Sequence, residues 1–326
     1  MESFLFALGA VLPIVILVLI GYFLKKIKLI DEGFIKTANR LVFRVLLPVM
    51  LFNNIYKIEK IGNLEMGYVI FSVLAITAVF GFAVITSGFV TKDNPKRASL
   101  IQGIFRSNYA LIGIPLAGSL FGEEGIIAAS VLSAFTIPVF NILAVGALSV
   151  FGKGKFSIKS ILSDIAKNPL ILGVLAGFCA LLAREIFISA EISFRLYDIK
   201  PIADAAGYFS SCATPIALMV LGGQFEFSAV EKLKKEIIFG TVMRCGAVPL
   251  FCIGSAALFF GGDFSGAQFA AITALFAAPV AVSSVPMAQE MGADVSLAGQ
   301  LVVWTTVFSA FSVFAASFVL KSIAIF

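Results

Sequence analysis

Histidine is missing from all 326 residues. That absence removes histidine general bases, histidine metal ligands and histidine proton relays together. Charge is scarce too: 13% of the residues are Asp, Glu, Lys or Arg, against roughly a quarter in soluble domains. The four cysteines (Cys179, Cys212, Cys245, Cys252) all fall in apolar stretches, which makes them packing residues, neither a disulfide framework nor a metal set. No acidic residue sits clearly mid-run, and no GxGD-type motif is present. An intramembrane enzyme would need paired aspartates or a Ser/His set, so catalysis is not expected. The opening MESFLFALGA has no basic n-region and no small-residue cleavage site. It reads as a first spanning helix and not a signal peptide.

What remains is hydrophobic. At 60% apolar residues, with runs of about 20 recurring along nearly the whole chain, the composition is that of a polytopic helical membrane protein. Ten spans are expected, near 4–24, 33–55, 67–91, 99–121, 124–151, 166–188, 203–223, 236–261, 266–289 and 294–320. The net charge of +5 could suggest nucleic acid, but the Lys and Arg sit in short loops, where they set orientation in a bilayer. Loops after odd-numbered spans hold fifteen basic residues, the opposite loops six, and Arg44, Arg106 and Arg244 lie within spans. The positive-inside rule then makes the odd loops cytoplasmic and both termini extracytoplasmic, in a multi-pass protein of the cell membrane.

The two halves resemble each other. LPIVILVLIGYF from Leu12 matches NPLILGVLAGFC from Asn168, with Pro13 over Pro169 and Gly21 over Gly177. Pro48 matches Pro215, and Pro115 matches Pro286, in the same order along the chain. The pattern predicts a 5+5 repeat, 1–151 and 164–326, joined by a cytoplasmic linker at 152–163. An odd number of spans per copy turns the second copy upside down in the membrane. Inverted repeats with Gly/Pro-interrupted helices at corresponding positions point to a secondary transporter whose site lies where the breaks meet.

Two stretches carry those interruptions. SNYALIGIPLAGSL from Ser107 collects Asn108, Gly113 and Pro115 beside Arg106, and a break is expected around Gly113–Pro115. FAAPVAVSSVPMAQEM from Phe276 places Pro279 and Pro286 on either side of Ser283 and Ser284, and should unwind between them. An ordinary kinked helix packed through small residues is the alternative for each. Half-helix N-termini at such a break present partial positive charge and free N–H groups, which favours a carboxylate. The candidate binding residues are Arg106, Asn108, Gly113, Ile114, Pro115, Pro279, Val280, Ser283 and Ser284. Arg106 has the alternative of snorkelling to the cytoplasmic surface, and the same holds for Arg44 and Arg244. For Gln102, Asn141, Thr305 and the other polar residues in spans, interhelical hydrogen bonding is the default.

On SNYALIGIPLAGSLFG from Ser107, TPIALMVLGGQF from Thr214 and AAPVAVSSVPMAQEMGADVSLAGQLVVWTT from Ala277, the chain resembles the auxin efflux carrier family, in particular its bacterial malate- or malonate-permease-like members. The resemblance covers essentially the full length. It implies an all-α protein of ten transmembrane helices in which broken helices 4 and 9 cross at their unwound centres. It further implies a scaffold of helices 1, 2, 6 and 7 and a transport unit of helices 3–5 and 8–10, with homodimers formed through the scaffold. Carried onto this chain, Asn108 and Pro115 stand on one side of the crossing and Pro279 on the other. The short linker between spans five and six departs from many plant auxin carriers and favours a small organic anion over auxin. The expectation is therefore an elevator-type secondary carrier of small carboxylates, with the bilayer and a second copy as partners, no nucleic acid and no cofactor. Coupling to sodium or a proton is left open: no acidic residue sits clearly mid-membrane to carry a proton, so facilitated diffusion or sodium coupling through unwound backbone carbonyls stands beside it. An anion channel, an intramembrane enzyme and a receptor are the rival classes.

Overall fold

The computed structural model describes residues 2–57, 66–152, 158–323 and 325. Lys60, Lys153, Lys155 and part of the expected linker at 152–163 (residues 153–157) lie outside them. Among the described residues the chain is all-helical, with no strand and one isolated backbone bridge.

Helix α1 covers Glu2–Lys26. Helix α2, Glu32–Leu41, continues through a π turn at Val42–Leu46 into α3, Leu47–Tyr56. Helix α4 is Met66–Val90 and α5 is Asn94–Phe105. After a gap comes a second π turn, Tyr109–Gly113, leading into α6, Ile114–Ala147, which is extended by a third π turn, Leu148–Gly152. Then follow α7 (Ile158–Lys167), α8 (Pro169–Ser189), a 3-10 turn at Leu196–Asp198 and α9 (Lys200–Gln224). A short α10 (Phe227–Lys232) precedes α11 (Lys234–Val242), which passes through a π turn at Met243–Ala247 into α12 (Val248–Phe260). The chain closes with α13 (Gly266–Ala277), α14 (Ser284–Met291) and α15 (Val295–Ser322). Six helical stretches among the described residues are long and apolar enough to cross a membrane.

The longest of these, Tyr109–Gly152, is a hairpin and not one rod. Phe121 and Gly122 leave helical geometry, Gly122 with φ +61°, a left-handed conformation that glycine adopts without a Cβ penalty. A Cβ on Gly125 would lie 2.2 Å from the Ala117 carbonyl oxygen. Eight residues of continuous helix would hold those atoms about 12 Å apart. The chain therefore doubles back at 121–122, where the fourth and fifth spans were expected to meet.

The prolines take a form that the sequence reading missed. Pro48, Pro115 and Pro249 each sit at the second residue of a helix that directly follows a π turn. Proline clashes with the carbonyl four residues back and cannot bond to it. Widening the preceding turn gives that carbonyl room without breaking the helix. The break expected at Gly113–Pro115 is accordingly absent there. It lies at 106–108, two turns earlier.

The helix contacts concentrate in two groups, with α1 also lying on α15 across them. In one, α1 lies on α9, and α3 on α8 and α9. In the other, α6 lies on α13, and α5 and α14 on α15. Between apolar helices in lipid, close backbone approach supplies much of the attraction. A Cβ on Gly21 would fall 1.9 Å from the Met219 carbonyl oxygen, and one on Gly222 would fall 1.9 Å from that of Val18. Only glycine allows α1 and α9 to meet that closely. All four cysteines are free thiols: Cys252 is buried and Cys245 half-buried. Cys179 and Cys212 are exposed on the outer surface, which corrects the reading of all four as packing residues.

Candidate functional site

Two helices stop in the interior and face each other. Asp93 opens α5 by accepting from the Lys96 N–H, and Ser265 opens α13 through a capping box with Gln268. Helix α13 ends at Ala277 because Ala278 precedes Pro279, and a residue before proline is pushed out of the helical region. Ala278 is extended, with φ −65° and ψ 153°. Helix α5 has no such local reason to end at Phe105. Its broken backbone is satisfied instead by the other break: the Asn108 N–H donates to the Pro279 carbonyl at 2.8 Å, and the Ala281 N–H to the Arg106 carbonyl at 3.3 Å. Ser107 and Val280 pair as the isolated antiparallel bridge, and the Val280 N–H donates to Thr305 Oγ1 at 3.1 Å. The exposed backbone of each break is thus the partner of the other, as burial in an apolar interior requires.

Arg106 extends from this bridge and is 4% exposed, so it does not snorkel. Its guanidinium donates to Asn141 Oδ1 at 2.7 Å and to Gln102 Oε1 at 3.1 Å, and touches the Met287 sulfur. Both hydrogen-bond partners are neutral amides. Among the described residues no carboxylate lies within ion-pair distance of Arg106. Next to it, Asn108 Nδ2 and Ser107 Oγ are buried with no hydrogen-bond partner, as is Gln102 Nε2. The site is rich in unmatched donors.

Arg106, Ser107 and Asn108 line a small cavity of about 50 Å³ together with Asn141, Thr214 and Ser283. Leu47, Met50 and Leu51 of α3 and Ala217 of α9 close it from the other helical group. No carboxylate lines it among the described residues. Of the residues singled out from the sequence, Arg106, Asn108 and Ser283 come together here. Pro279 and Val280 form the bridge, and Ser284 is buried just beyond with its Oγ unpartnered. Gly113, Ile114 and Pro115 lie outside the cavity wall. Gly113 has a packing role, since a Cβ there would meet the Tyr109 ring at 2.2 Å. The second half-helices begin at Tyr109 and Ser284, so their N-terminal ends lie at the break, where the Ser284 and Val285 N–H groups donate to the Ala281 and Val282 carbonyls at 3.0 and 3.2 Å.

Sequence reasoning passed over Ser107, and left Gln102 and Asn141 to the default of interhelical bonding. It ranked Arg244 below Arg106 as a cavity-facing charge, with snorkelling to the surface as the alternative. Arg244 is instead fully buried. Its hydrogen bonds among the described residues go to backbone carbonyls: Ala278 at 2.7 and 2.9 Å, Leu275 at 3.1 Å, Phe105 at 3.4 Å and Ile104 at 3.5 Å. These are the last carbonyls of α5 and α13. Arg44, by contrast, is 62% exposed in its side chain and pairs with Glu290 at 3.3 Å.

A family model described as membrane transport protein matches residues 6–316. Similar curated proteins are transporters of undetermined substrate. One from Methanocaldococcus jannaschii is 30% identical over 66% of this chain and 68% of its own. One from Methanothermobacter thermautotrophicus is 24% identical over 92% and 93%. The transporter YfdV of Escherichia coli is 26% identical over 75% and 76%.

Proposed function

The chain belongs to the membrane transport protein family, the group of the auxin efflux carriers, and from that premise we propose that it is a secondary carrier of small carboxylates working by alternating access. The observation that carries this reading is Arg106, a guanidinium 4% exposed, held by two neutral amides and with no counter-ion among the described residues. Burying an unpaired charge costs several kcal/mol, so such a site is completed by an anion. A carboxylate offers two oxygens to the Arg fork and further lone pairs to Asn108 Nδ2 and Ser107 Oγ. The half-helix N-termini at Tyr109 and Ser284 add to the positive potential. Malonate or malate, with two carboxylates, suits this donor set better than an auxin-like acid with one.

Alternating access in this reading moves one helical group past the other, in the elevator manner. The proposed scaffold is α1–α3 with α8 and α9, and the proposed transport unit is α4–α6 with α11–α15. A 5+5 inverted repeat is supported by exchanged packing: the first span lies on the seventh (α1 on α9), and the sixth on the second (α8 on α3). It is also supported by Pro115 and Pro286, each of which falls in the first turn of a second half-helix. The cavity wall is shared between the groups, so sliding them would open it to one side. The small size of the cavity favours a carrier over a channel, which needs a continuous aqueous path. Orientation with both termini outside, cell-membrane location and a scaffold-mediated homodimer complete the proposal.

Titration calorimetry of the purified protein with malonate, and with neutral malonamide as the shape-matched control, tests the anion reading. Saturable binding of malonate alone, weakened at least about tenfold by Arg106→Gln, is expected. Equal binding of both compounds, or no loss in the variant, would contradict it.

A further inference from the structure

Coupling depends on what occupies the negative side of the crossover. The C-terminal ends of half-helices carry partial negative charge, and in carriers with broken helices such carbonyls coordinate the coupling cation. Here those carbonyls, at Ile104 and Phe105 of α5 and at Leu275 and Ala278 ending α13, all accept from one side chain. That side chain is Arg244, fully buried, with no carboxylate in ion-pair distance among the described residues. We propose that Arg244 is a resident cation that fills this carbonyl cage in place of a coupling ion and pins both half-helices as a single crossover. The inference rests on the carrier reading for its meaning, since a coupling ion matters only to a carrier.

The geometry suits an arginine and not a smaller group. A guanidinium has five N–H donors in a planar fork, and no proton leaves it at ordinary pH. It reaches carbonyls on two different helices at once, which is what a bound cation does at such a site. It also separates the roles of the two faces of the crossing. Arg244 covers the C-terminal ends, leaving the N-terminal ends and Arg106 to face the cavity. Arg244 is therefore a positioning residue: it does not line the cavity, but it holds the backbone from which Arg106 and Asn108 extend.

The test is the melting temperature of the purified full-length protein in equal concentrations of sodium, potassium and choline chloride. For the wild type the three values should agree. Arg244→Ala empties the cage, so its lowered melting temperature should be raised by sodium over choline by about 3 °C or more. Arg244→Lys keeps a cation in place and should stay indifferent to sodium. A sodium-specific rise in the wild type would overturn the proposal, and so would an Arg244→Ala variant lowered alike in all three salts, which marks a purely structural contact. If Arg244→Ala does not fold, the wild type and Arg244→Lys still decide: salt-independence of both supports the filled cage, and a sodium-specific rise in either sinks it. No carboxylate enters these measurements, so they can fail while the anion site stands, and the reverse.

Discussion

At the scale of single residues, the account rests on donors that lack acceptors. Removing the Arg106 charge with Arg106→Gln should cost about 10- to 100-fold in apparent affinity for a dicarboxylate, the worth of a charge-assisted hydrogen bond. The Gln side chain can still bond to Gln102 and Asn141, so expression and melting temperature should stay near wild type. Arg106→Lys keeps the charge but loses the fork, and an intermediate affinity is expected. Uptake rates of both variants at equal protein levels check this, and wild-type uptake by Arg106→Gln would remove Arg106 from the site. The absence of histidine adds a second expectation. With no histidine and no carboxylate on the cavity wall among the described residues, uptake between about pH 6 and 8 should follow only the ionised fraction of the substrate. A bell-shaped profile that persists with a fully ionised sulfonate analogue would contradict that. Arg106 and Asn108 were legible because polar residues in an apolar run demand an explanation. Arg244 was also noticed as a charge within a span but ranked lower, because nothing in its neighbours showed that it meets two helix ends distant in sequence.

At the scale of elements, the second break was readable and the first was misplaced. Ala278–Pro279 stops a helix by local sterics, so it can be found from sequence. The break at 106–108 exists because the backbone of 279–281 is there to pair with it, a tertiary cause with no local signal. Pro115 drew the expectation two turns too far along, because a π turn absorbs proline where a break was expected. Of the glycines between α1 and α9, Gly21 was marked only as a repeat position and Gly222 stood only inside a family motif, and their packing purpose emerges from the geometry. Gly222→Leu would drive a side chain into the Val18 backbone, now 1.9 Å from where its Cβ would sit. Such overpacking costs about 1–3 kcal/mol or more, seen as a lower melting temperature and broadened size-exclusion profile. Gly81→Ala, with nothing within 4 Å of the new Cβ, is the neutral control. Equal stability of the two variants would contradict the packing account.

At the scale of the molecule, a polar latch joins the two helical groups away from the cavity. Asn39 of α2 donates to Gln289 of α14 at 2.6 Å and to Gln224 of α9 at 3.2 Å, and Gln224 also donates to Gln289 at 3.0 Å. Beside them Glu290 faces Arg44 and Arg40, at 3.3 and 3.9 Å. Replacing Gln289 by Leu leaves Asn39 and Gln224 without that partner and should loosen the groups. In a cysteine-free background carrying Ser283→Cys, a membrane-impermeant thiol reagent should then label the cavity several-fold faster than with Gln289 intact. Unchanged labelling from both sides would show that the latch does not hold the cavity closed. The membrane class and the family were legible from composition and from three long motifs. The latch was not, since its members are isolated polar residues in separate helices.

Uptake into proteoliposomes containing only this protein tests the central claim most directly. The panel is malate, malonate, succinate, a monocarboxylate and indole-3-acetate, each with and without sodium and proton gradients. Saturable uptake of a small dicarboxylate, abolished or strongly reduced by Arg106→Gln, is the predicted result. Failure of the folded protein to move any acid on the panel would contradict it.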